Sequence, residues 1–472
     1  MAFDMLIRFT VGNFLSFDEI QEFSMISGHT RGKMEHVLAG EQLKLLKFAA
    51  IYGANASGKS NLISAVEFAR KTILADFPEG HTRRYHRSCE ENRYKPSYFE
   101  FEITWKGQYF AYGFEAVLNQ SRIISEWLVE MLPDGTERQI FSRDTEAGRF
   151  AMDSYFTDPA LLNKLHVYAD DIKLDGSVLF LRLMNTNKEH FYTDYPSAAV
   201  LRSVFSWIKY KLAVNDPNQT VTEYSDYLTE ENLSEISSLL ASFGTGVTDL
   251  HFTEVSPDRV FRQLPEHVAA GVSAKLEAHG VRDRETGGIL LRGGDKNYYM
   301  LRLCGGRLSC RTLELDHSGG TAPFRMAEES DGTVRILDLI EILLRKSDEK
   351  VYFIDEIDRC LHPQLTYKFI ETFFKLAAGR NTQLIVTTHE SRLMNFDLLR
   401  RDEVWFVEKN SAGASTLYSL EEYNERFDSR VDQAYLEGRY GGIPVFGSLD
   451  GILPEEAQPA GRDAAGPSEE QP

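Results

Sequence analysis

Hydrophobic and polar residues alternate in short runs over the first fifty residues, a pattern that indicates the strands of a half-buried sheet. The runs are Leu6–Phe9, Phe14–Phe17 and Phe23–Ile26. A further apolar run, Phe48–Tyr52, leads directly into Gly53. Behind this glycine, apolar residues at helical spacing predict a helix over Lys59–Leu74. The chain is therefore expected to pass from a strand through a glycine loop into a helix.

The pattern changes in the middle of the chain. Alternating runs at Tyr98–Ile103, Tyr109–Leu118 and Ile123–Met131 predict an antiparallel meander. Residues 150–280 have a mainly helical pattern, including a predicted helix over Ala198–Leu212. Short runs split by glycine pairs between Gly287 and Leu315 predict hairpins.

The last third alternates helices and strands, which is typical of a parallel sheet and of the α/β class. The predicted elements are a helix over Thr333–Arg345, a strand over Val351–Ile354, a helix over Pro363–Ala378 and a strand over Gln383–Thr388. These patterns divide the chain into a lobe with the glycine loop and antiparallel strands (1–150), a mainly helical insertion with hairpins (151–316), and a second half with parallel strands (317–447). The composition of residues 448–472, rich in Pro, Glu, Ala and Gly, predicts a disordered tail.

Composition narrows the class of protein. The 472 residues are 42% hydrophobic and 26% charged, which fits a globular chain. A net charge of −19 argues against a protein that coats nucleic acid non-specifically. No apolar run approaches the roughly 18 to 20 residues of a membrane span, and the start lacks the pattern of a secretory signal. We therefore expect a cytoplasmic protein without membrane contact, and four cysteines are too few for a disulfide framework.

The motif with the clearest chemistry is Gly53-Ala54-Asn55-Ala56-Ser57-Gly58-Lys59-Ser60, which matches the phosphate-binding pattern G-x-x-x-x-G-K-[ST] between a strand and a helix. Its backbone N–H groups would face an anion, Lys59 would reach the β- and γ-phosphates, and Ser60 would ligate Mg²⁺. Asn61, next in the chain, is included among the predicted nucleotide contacts. The nearest string to a guanine motif, Asn187-Lys188-Glu189-His190, has His where Asp is needed, so ATP is favoured over GTP.

Two further strand ends carry polar residues. The run Val351–Ile354 is followed by Asp355, expected to hold Mg²⁺ through its water shell, and by Glu356, expected to polarise the attacking water. His389 follows the next buried strand, and parallel strands bring their carboxyl ends to one edge. His389 is therefore expected near the γ-phosphate as a sensor of the bound nucleotide. A lone histidine or carboxylate at a strand end is more often structural, and the phosphate-binding loop is what favours the functional interpretation.

The segment Glu329-Ser330-Asp331-Gly332-Thr333 lies at the start of an amphipathic helix. Ser330 or Asp331 can serve simply as the helix N-cap. Because the exposed N–H groups of a helix start also attract phosphate, the same residues can serve in nucleotide binding. Both interpretations remain open at this point.

Together these motifs resemble the ABC-type ATPase heads of the SMC-like and RecF-like group and, within it, the bacterial AAA ATPases of family fifteen. The motifs that carry the resemblance are Asn13–Phe17, Gly53–Ser60, Glu329–Thr333, Ile354–Asp358, Leu361–Pro363, Thr388–Glu390 and Tyr435–Pro444. The resemblance implies a head in which two subunits sandwich two ATP molecules. Ser330, Asp331 and Gly332 would then act on the nucleotide of the partner subunit, in a homodimer or a multiple of dimers.

The resemblance also implies a biological role. Several relatives carry a Toprim nuclease, but the residues after His389 show no Asp-x-Asp behind an apolar strand, so we expect no nuclease centre in this chain. Relatives without a nuclease act with a separately encoded effector in anti-phage abortive-infection systems, among them AbiL or RloA–RloB pairs, Septu-like ATPases and PARIS ATPases. The hypothesis is a sensor or scaffold ATPase that controls a toxic effector, expected to be a nuclease. The alternative is a DNA-repair ATPase of the SMC-like or RecF-like kind.

The densest basic stretch of the acidic chain is His81–Arg87, followed by Arg93 and Lys95. Most such stretches are merely solvated surface. The functional alternative for residues 83–95 is binding of nucleic acid or of an acidic phage protein that triggers the response.

Overall fold

A computed structural model describes residues 3–439 except 31, 153–154, 216–223, 226–227, 263, 265–268, 270, 273–287, 294, 296, 305–306, 346–348, 424–430 and 438. The tail predicted for 448–472, the end of the Tyr435–Pro444 motif and the glycine pair at 305–306 lie outside the described residues. Among the helices in the described ranges, none has the length and apolarity that crossing a bilayer requires.

The N-terminal sheet is antiparallel. Its strands are β1 (Leu6–Gly12), β2 (Gln21–Ser24), β6 (Ser97–Trp105), β7 (Gln108–Val117), β8 (Arg122–Met131), β9 (Glu137–Asp144) and β10 (Arg149–Ala151). They lie in the order β10-β9-β8-β7-β6-β1-β2. The predicted meander is confirmed by β6, β7 and β8, which pair with their neighbours in sequence. A separate small hairpin pairs β3 (Val37–Ala39) with β4 (Lys44–Leu46).

The parallel sheet contains the strand that leads into the glycine loop. Its strands are β5 (Phe48–Tyr52), β11 (Leu212–Asn215), β18 (Lys350–Ile354), β19 (Thr382–Thr387), β20 (Val404–Lys409) and β21 (Ser415–Ser419). The order is β11-β18-β19-β5-β20-β21, with β21 antiparallel at one edge. Strands β5, β18 and β19 confirm three predicted strands. Strand β11 was not predicted, and it pairs in parallel with β18 from within the segment interpreted as an insertion.

A third sheet, antiparallel, lies in the second half of that segment and continues to residue 325. Its strands are β12 (Tyr224–Ser225), β13 (Val247–Val255), β14 (Gly288–Arg292), β15 (Tyr298–Cys304), β16 (Arg307–His317) and β17 (Phe324–Arg325). The order is β12-β14-β15-β16-β13, with β17 beside β16. The predicted hairpins correspond to β14, β15 and β16, which pair in sequence.

Helices cover both faces of the parallel sheet. The described helices are α1 (Lys59–Leu74), α2 (Pro159–Ile172), α3 (Phe180–Asn185), α4 (Glu189–Asp194), α5 (Ala199–Tyr210), α6 (Leu233–Ser242), α7 (Pro257–Phe261), α8 (Asp331–Leu344), α9 (Pro363–Ala377) and α10 (Val431–Leu436). Side chains alternate between the faces of a strand, so Ala49 and Ile51 of β5 join the core of α1 and the N-terminal sheet. Phe48 and Ala50 join the opposite core, which contains α8 and α9. The predicted α/β class is therefore confirmed.

The run Phe14–Phe17 is a turn, which corrects the prediction of a strand. Phe14 and Phe17 exchange backbone hydrogen bonds of 2.9 and 2.8 Å across the turn. Asn13 and Leu15 have left-handed backbone angles, with φ of 46° and 49°. Both phenylalanines are fully buried, and Phe14 packs on Phe68 of α1 with ring centroids 5.1 Å apart. The apolar pattern thus reflects burial of the turn against the helix and not a strand.

Candidate nucleotide-binding site

The phosphate-binding loop lies between β5 and α1, as predicted. Residues 48–52 are entirely buried, and β5 ends at the carboxyl end of the parallel strands, where Gly53 is the first residue of the loop. Gly58, directly before α1, has a φ of 118°, which only glycine adopts readily. A Cβ at Gly58 would lie 2.5 Å from the hydroxyl of Ser415 and 2.6 Å from that of Ser16. The glycine is therefore required both by backbone conformation and by the close approach of these two serines.

Hydrogen bonds support the loop from outside. The hydroxyl of Ser415 donates to the carbonyl of Ser57 over 2.5 Å, and the backbone N–H of Ser415 donates to the carbonyl of Ser16 over 2.7 Å. The side-chain amide of Asn61 donates to the hydroxyl of Ser16 over 2.7 Å. Asn61, predicted as a nucleotide contact, therefore braces the loop through the turn 13–17. Ser16 and Ser415 are supporting residues that the sequence motif alone did not identify.

Lys59 is buried inside the loop, with 6% of its surface exposed. Its ammonium donates to the carbonyls of Gly53 over 2.8 Å and Ala54 over 3.1 Å. Burial lowers the pKa of Lys59 to about 8, while the charges of nearby carboxylates, Asp355 foremost, act in the opposite direction. A buried ammonium held by loop carbonyls is a cation placed at the centre of the predicted phosphate cradle.

Asp355 meets Ser60 at the carboxyl edge of the parallel sheet. Its Oδ1 accepts hydrogen bonds from Ser60 Oγ at 3.1 Å and from Thr387 Oγ1 at 2.5 Å. The two residues predicted to hold Mg²⁺ are thus brought together by the fold, although they are 295 residues apart in sequence. A hydroxyl beside a half-buried carboxylate is a donor set that suits a hard cation.

Glu356 follows Asp355 in a left-handed conformation, with a φ of 47°. Its backbone N–H donates to Thr387 Oγ1 over 2.8 Å, so Thr387 contacts both members of the carboxylate pair. The left-handed conformation changes the direction of the backbone at Glu356, two residues after the end of β18. Such strain in a non-glycine residue is typical of functional sites.

His389 lies beyond β19, close to the same centre. Its backbone N–H donates to Asp358 Oδ2 over 3.2 Å. Partial burial and the positive charge of Lys59 lower the pKa of His389, whereas Asp358, Glu356 and Asp355 act to raise it. His389 is therefore within electrostatic range of the loop lysine and of the carboxylates.

Ser330 caps helix α8, and its side-chain hydroxyl is hydrogen-bonded to Thr333 of the same helix. Its hydroxyl accepts a 3.1 Å hydrogen bond from the N–H of Thr333, which realises the N-cap interpretation. Ser330 and Asp331 are exposed, and a Cβ at Gly332 would lie 3.1 Å from the carbonyl of Cys360. An exposed, capped helix start leaves the second interpretation, contact with a nucleotide on another subunit, sterically open.

Three residues that the sequence analysis missed belong to this edge of the sheet. Thr387 organises the carboxylates, and Arg335 donates to the carbonyls of Asp355 and Glu356, each over 3.0 Å. Asn215, at the end of β11, accepts a 3.2 Å hydrogen bond from the N–H of Asp355 through its carbonyl. The sequence signal for Thr387 was its position at a strand end. Leu212, the first residue of β11, was assigned to the end of a predicted helix, and the rest of β11 was not predicted.

The residues fit Mg²⁺ and a nucleotide triphosphate. Ser60 and Asp355 provide oxygen donors, and Lys59 lies at the start of α1, whose first N–H groups lack partners within the helix. Within the described part of the chain, the buried hydroxyl of Ser57 has no hydrogen-bond partner, which leaves a donor available for a bound phosphate.

The α/β fold and the phosphate-binding loop define a P-loop NTPase. The family model that matches residues 48–395 is described as "AAA domain, putative AbiEii toxin, Type IV TA system". The match covers more than half of the chain, so the chain belongs to this AAA family. No curated protein matches the chain.

Three solved structures are similar to the chain. One is an Smc head bound to the C-winged helix domain of ScpA, at 15% identity and a TM-score of 0.37, covering 88% of this chain and 98% of that one. Another is the SMC head domain from Thermotoga maritima, at 12% identity and a TM-score of 0.31, with the same coverage, 88% and 98%. The third is an Smc head domain with an extended coiled coil bound to the C-terminal domain of ScpA, derived from Pyrococcus furiosus, at 15% identity and a TM-score of 0.37, covering 92% and 100%.

Proposed function

We propose that the protein binds and hydrolyses ATP at the loop 53–60, with Mg²⁺ held by Ser60 and Asp355. The observation that carries this proposal is the meeting of Ser60, Asp355 and Thr387 beside the buried ammonium of Lys59. Membership of an AAA family supports nucleotide binding and ATPase activity in general. Bound Mg²⁺ would supply positive charge that polarises the terminal phosphoryl group.

Each side chain then has a distinct task. Lys59 would exchange its loop carbonyls for the β- and γ-phosphate oxygens and neutralise charge as it develops. Glu356 would accept a proton from the attacking water, because Asp355 already accepts hydrogen bonds from Ser60 and Thr387 at the proposed metal position. His389 would hydrogen-bond the γ-phosphate or hold the water, and so report whether the triphosphate is present.

Completion of the site would require a second copy of the chain. Ser330, Asp331 and Gly332 start an exposed helix, and a helix start favours anionic groups. In a head-to-head dimer this start would close on the nucleotide held by the loop of the partner subunit. Assembly into a dimer, or a multiple of dimers, would then depend on ATP.

The biological role proposed is that of a sensor or scaffold ATPase in an anti-phage system with a separately encoded toxic effector. Support comes from the family description, which refers to a toxin of a type IV toxin–antitoxin system. The motifs that resemble those of abortive-infection ATPases support the same biological role. ATP-driven head assembly would control the effector, which we propose to be a nuclease.

The first experiment tests the chemistry. Glu356→Gln should retain ATP binding, lose nearly all phosphate release and accumulate an ATP-bound dimer, measured by light scattering coupled to gel filtration. The matched control is Glu137→Gln, which makes the same change at an exposed position on β9. Undiminished hydrolysis by Glu356→Gln would refute the assignment of the base.

The second experiment tests the role. Deletion of this gene alone, in a strain that keeps its neighbours, should raise plating efficiency for at least one phage in a broad panel. Restoration by the wild type but not by Lys59→Ala would connect protection to the nucleotide site. Unchanged plating across the panel, together with sensitivity to DNA damage, would instead support the alternative of a DNA-repair ATPase.

A further inference from the structure

Five cations form what we call the basic surface: Arg83, Arg84, Arg87, Arg93 and Lys95. Four of them are exposed, and Arg84 is half-buried. Over the described part of the chain, none of the five has an ion pair, although the whole protein carries 71 acidic residues against 52 Lys and Arg. The guanidinium of Arg93 lies 5.7 Å from the ring centre of its neighbour Tyr94. The basic surface is thus a group of uncompensated positive charges on an acidic protein.

One buried side chain, that of Asn13, contacts the backbone of both halves of the basic surface, residues 83–87 and residues 92–95. The side-chain carbonyl of Asn13 accepts a 3.1 Å hydrogen bond from the backbone N–H of His86. Its side-chain amide donates to the carbonyls of Asn92 over 3.0 Å and Lys95 over 2.9 Å. The backbones of both halves therefore lie within hydrogen-bond distance of a single residue. Since Asn13 is only 6% exposed, this arrangement is fixed by the fold.

The chemistry of the basic surface favours phosphate esters and bases. Four of its five cations are arginines, whose planar guanidinium groups pair with phosphate better than lysine does. Tyr94, with 60% of its surface exposed, stands between Arg93 and Lys95 and offers an aromatic face for stacking. Glu90 and Glu91, exposed between the two halves, oppose a long continuous contact with a polyanion and favour a short one. An acidic protein segment would satisfy the arginines but would leave Tyr94 unused.

We propose that the basic surface binds single-stranded nucleic acid, with the arginines on its phosphates and Tyr94 stacked on a base. The surface is also connected to the loop that binds the nucleotide. The backbone carbonyl of Arg84 accepts a 2.7 Å hydrogen bond from the N–H of Leu15. The hydroxyl of Ser16, the residue after Leu15, accepts the 2.7 Å hydrogen bond from the side-chain amide of Asn61 on α1. Arg84 also lines a cleft whose other lining residues include Ser60 and Asp355. Binding at the basic surface therefore changes the rate of ATP hydrolysis, a step that rests on the proposed function.

The test uses the full-length protein and fluorescently labelled oligothymidylate and oligouridylate, whose comparison distinguishes DNA from RNA. Wild type should bind one or both, with log affinity falling against log salt at a slope of about −2, as expected for about three phosphate contacts on a single strand. The variant Arg83→Glu/Arg87→Glu/Arg93→Glu should bind at least about tenfold more weakly. Tyr94→Leu should lose about tenfold in affinity, whereas Tyr94→Phe should keep it.

The matched control is Lys164→Glu/Arg202→Glu/Lys209→Glu, which reverses three exposed charges on α2 and α5 and should bind like the wild type. Thermal melting confirms that both triple variants fold. Equal binding by the two triple variants, or no binding by the wild type, would overturn the proposal. Competition by polyglutamate as strong as that by oligothymidylate would assign the basic surface to an acidic protein instead.

Hydrolysis provides a separate readout. Saturating oligonucleotide should change the ATPase rate of the wild type, while the rate of the basic-surface variant without oligonucleotide should equal that of the wild type. An unchanged rate in the wild type at saturation would overturn the connection to the loop. Absence of any basal hydrolysis would refute the proposed function and leave the binding result standing, so the two failures are distinguishable.

Discussion

The side chain of Arg335 is hydrogen-bonded to the backbone carbonyl of Glu356 over 3.0 Å, and the same nitrogen also donates to the carbonyl of Asp355 over 3.0 Å. Arg335 lies on α8, the helix that Ser330 caps, and is 6% exposed. The exposed helix start and the carboxylate pair are therefore joined by one buried cation. A shift of α8 in the proposed dimer would be transmitted to the backbone of Glu356.

Replacement of Arg335 by Met should separate these two parts. Arg335→Met keeps much of the side-chain volume but leaves two carbonyls without their donor, which should lower the free energy of unfolding by about 1.5–3 kcal/mol. ATP binding should persist while hydrolysis falls, because the position of Glu356 is no longer fixed. Urea unfolding and steady-state phosphate release measure the two effects. Arg202→Met, at an exposed site on α5, is the control, and normal hydrolysis in Arg335→Met would contradict the expectation.

Replacement of Gly58 by Ala should abolish ATP binding. The new Cβ would collide with the hydroxyls of Ser16 and Ser415 at 2.6 and 2.5 Å, in a backbone conformation that L-residues rarely adopt. Gly135→Ala is a matched control, because Gly135 also has a left-handed φ, of 81°, but nothing lies within 4 Å of its added Cβ. Isothermal titration with a non-hydrolysable ATP analogue compares the two. Equal affinity in both variants would show that crowding at Gly58 has no part in binding.

Mixing two inactive variants tests whether Ser330 acts on the partner subunit. Ser330→Asp preserves an N-cap acceptor, so α8 should stay folded, but it adds a negative charge beside a bound phosphate. Lys59→Ala should fail to bind ATP. If the helix start acts across the dimer, each mixed dimer has one complete site, in which the intact loop of one subunit faces the intact Ser330 of the other. Because about half of the dimers in an equal mixture are mixed, phosphate release should recover to about half of one wild-type site per dimer. Phosphate release that stays at the level of the separate variants would place Ser330 in its own subunit's site or outside catalysis.

Asp338 on α8 should make stability depend on pH. Its carboxylate lies 3.6 Å from Arg292, yet burial raises the pKa of Asp338 to about 7. The folded protein thus keeps this proton in a range where the unfolded chain has released it, so stability is lost as pH rises from about 4 through 7. Asp338→Asn cannot ionise and should be more stable than the wild type at pH 8, by about 2–4 kcal/mol, and similar to it near pH 4.

Thermal melting across this pH range gives the comparison. The exposed Asp397→Asn is the control for loss of one carboxylate and should follow the wild-type profile. A difference between Asp338→Asn and wild type that stays constant with pH would mean that Asp338 does not titrate in the folded protein over this interval.

Hydrophobic periodicity predicts an element well when its buried side chains follow the repeat of that strand or helix. Strands β5, β18 and β19 each contain a continuous apolar run, because both of their faces are covered by helices or by the N-terminal sheet. The turn 13–17 was predicted as a strand because its phenylalanines are buried by tertiary contact with α1, which leaves the same apolar signature. Strand β11 was missed because it is short and its first residue, Leu212, continues the apolar pattern of the preceding amphipathic helix.

The sequence predicts a residue of the candidate site only where a local motif determines the position of that residue in the fold. Lys59, Ser60 and Asp355 follow from the loop and from a strand end, and the structure groups them. Thr387 and Arg335 depend on which strands are neighbours and on where α8 packs, and neither is encoded near the residue itself. For the same reason the role of Asn61 changed, since its partner Ser16 is 45 residues away.

The strand order also has a consequence for biosynthesis. Strand β5 is made early, but both of its neighbours in the sheet, β19 and β20, are translated only after Thr382. Until then residues 48–52 lack both neighbouring strands, so the phosphate-binding loop cannot take its place in the sheet while most of the chain is still being translated. The nascent chain thus carries an unpaired apolar strand throughout that interval, and unpaired strands of this kind make folding intermediates prone to aggregation.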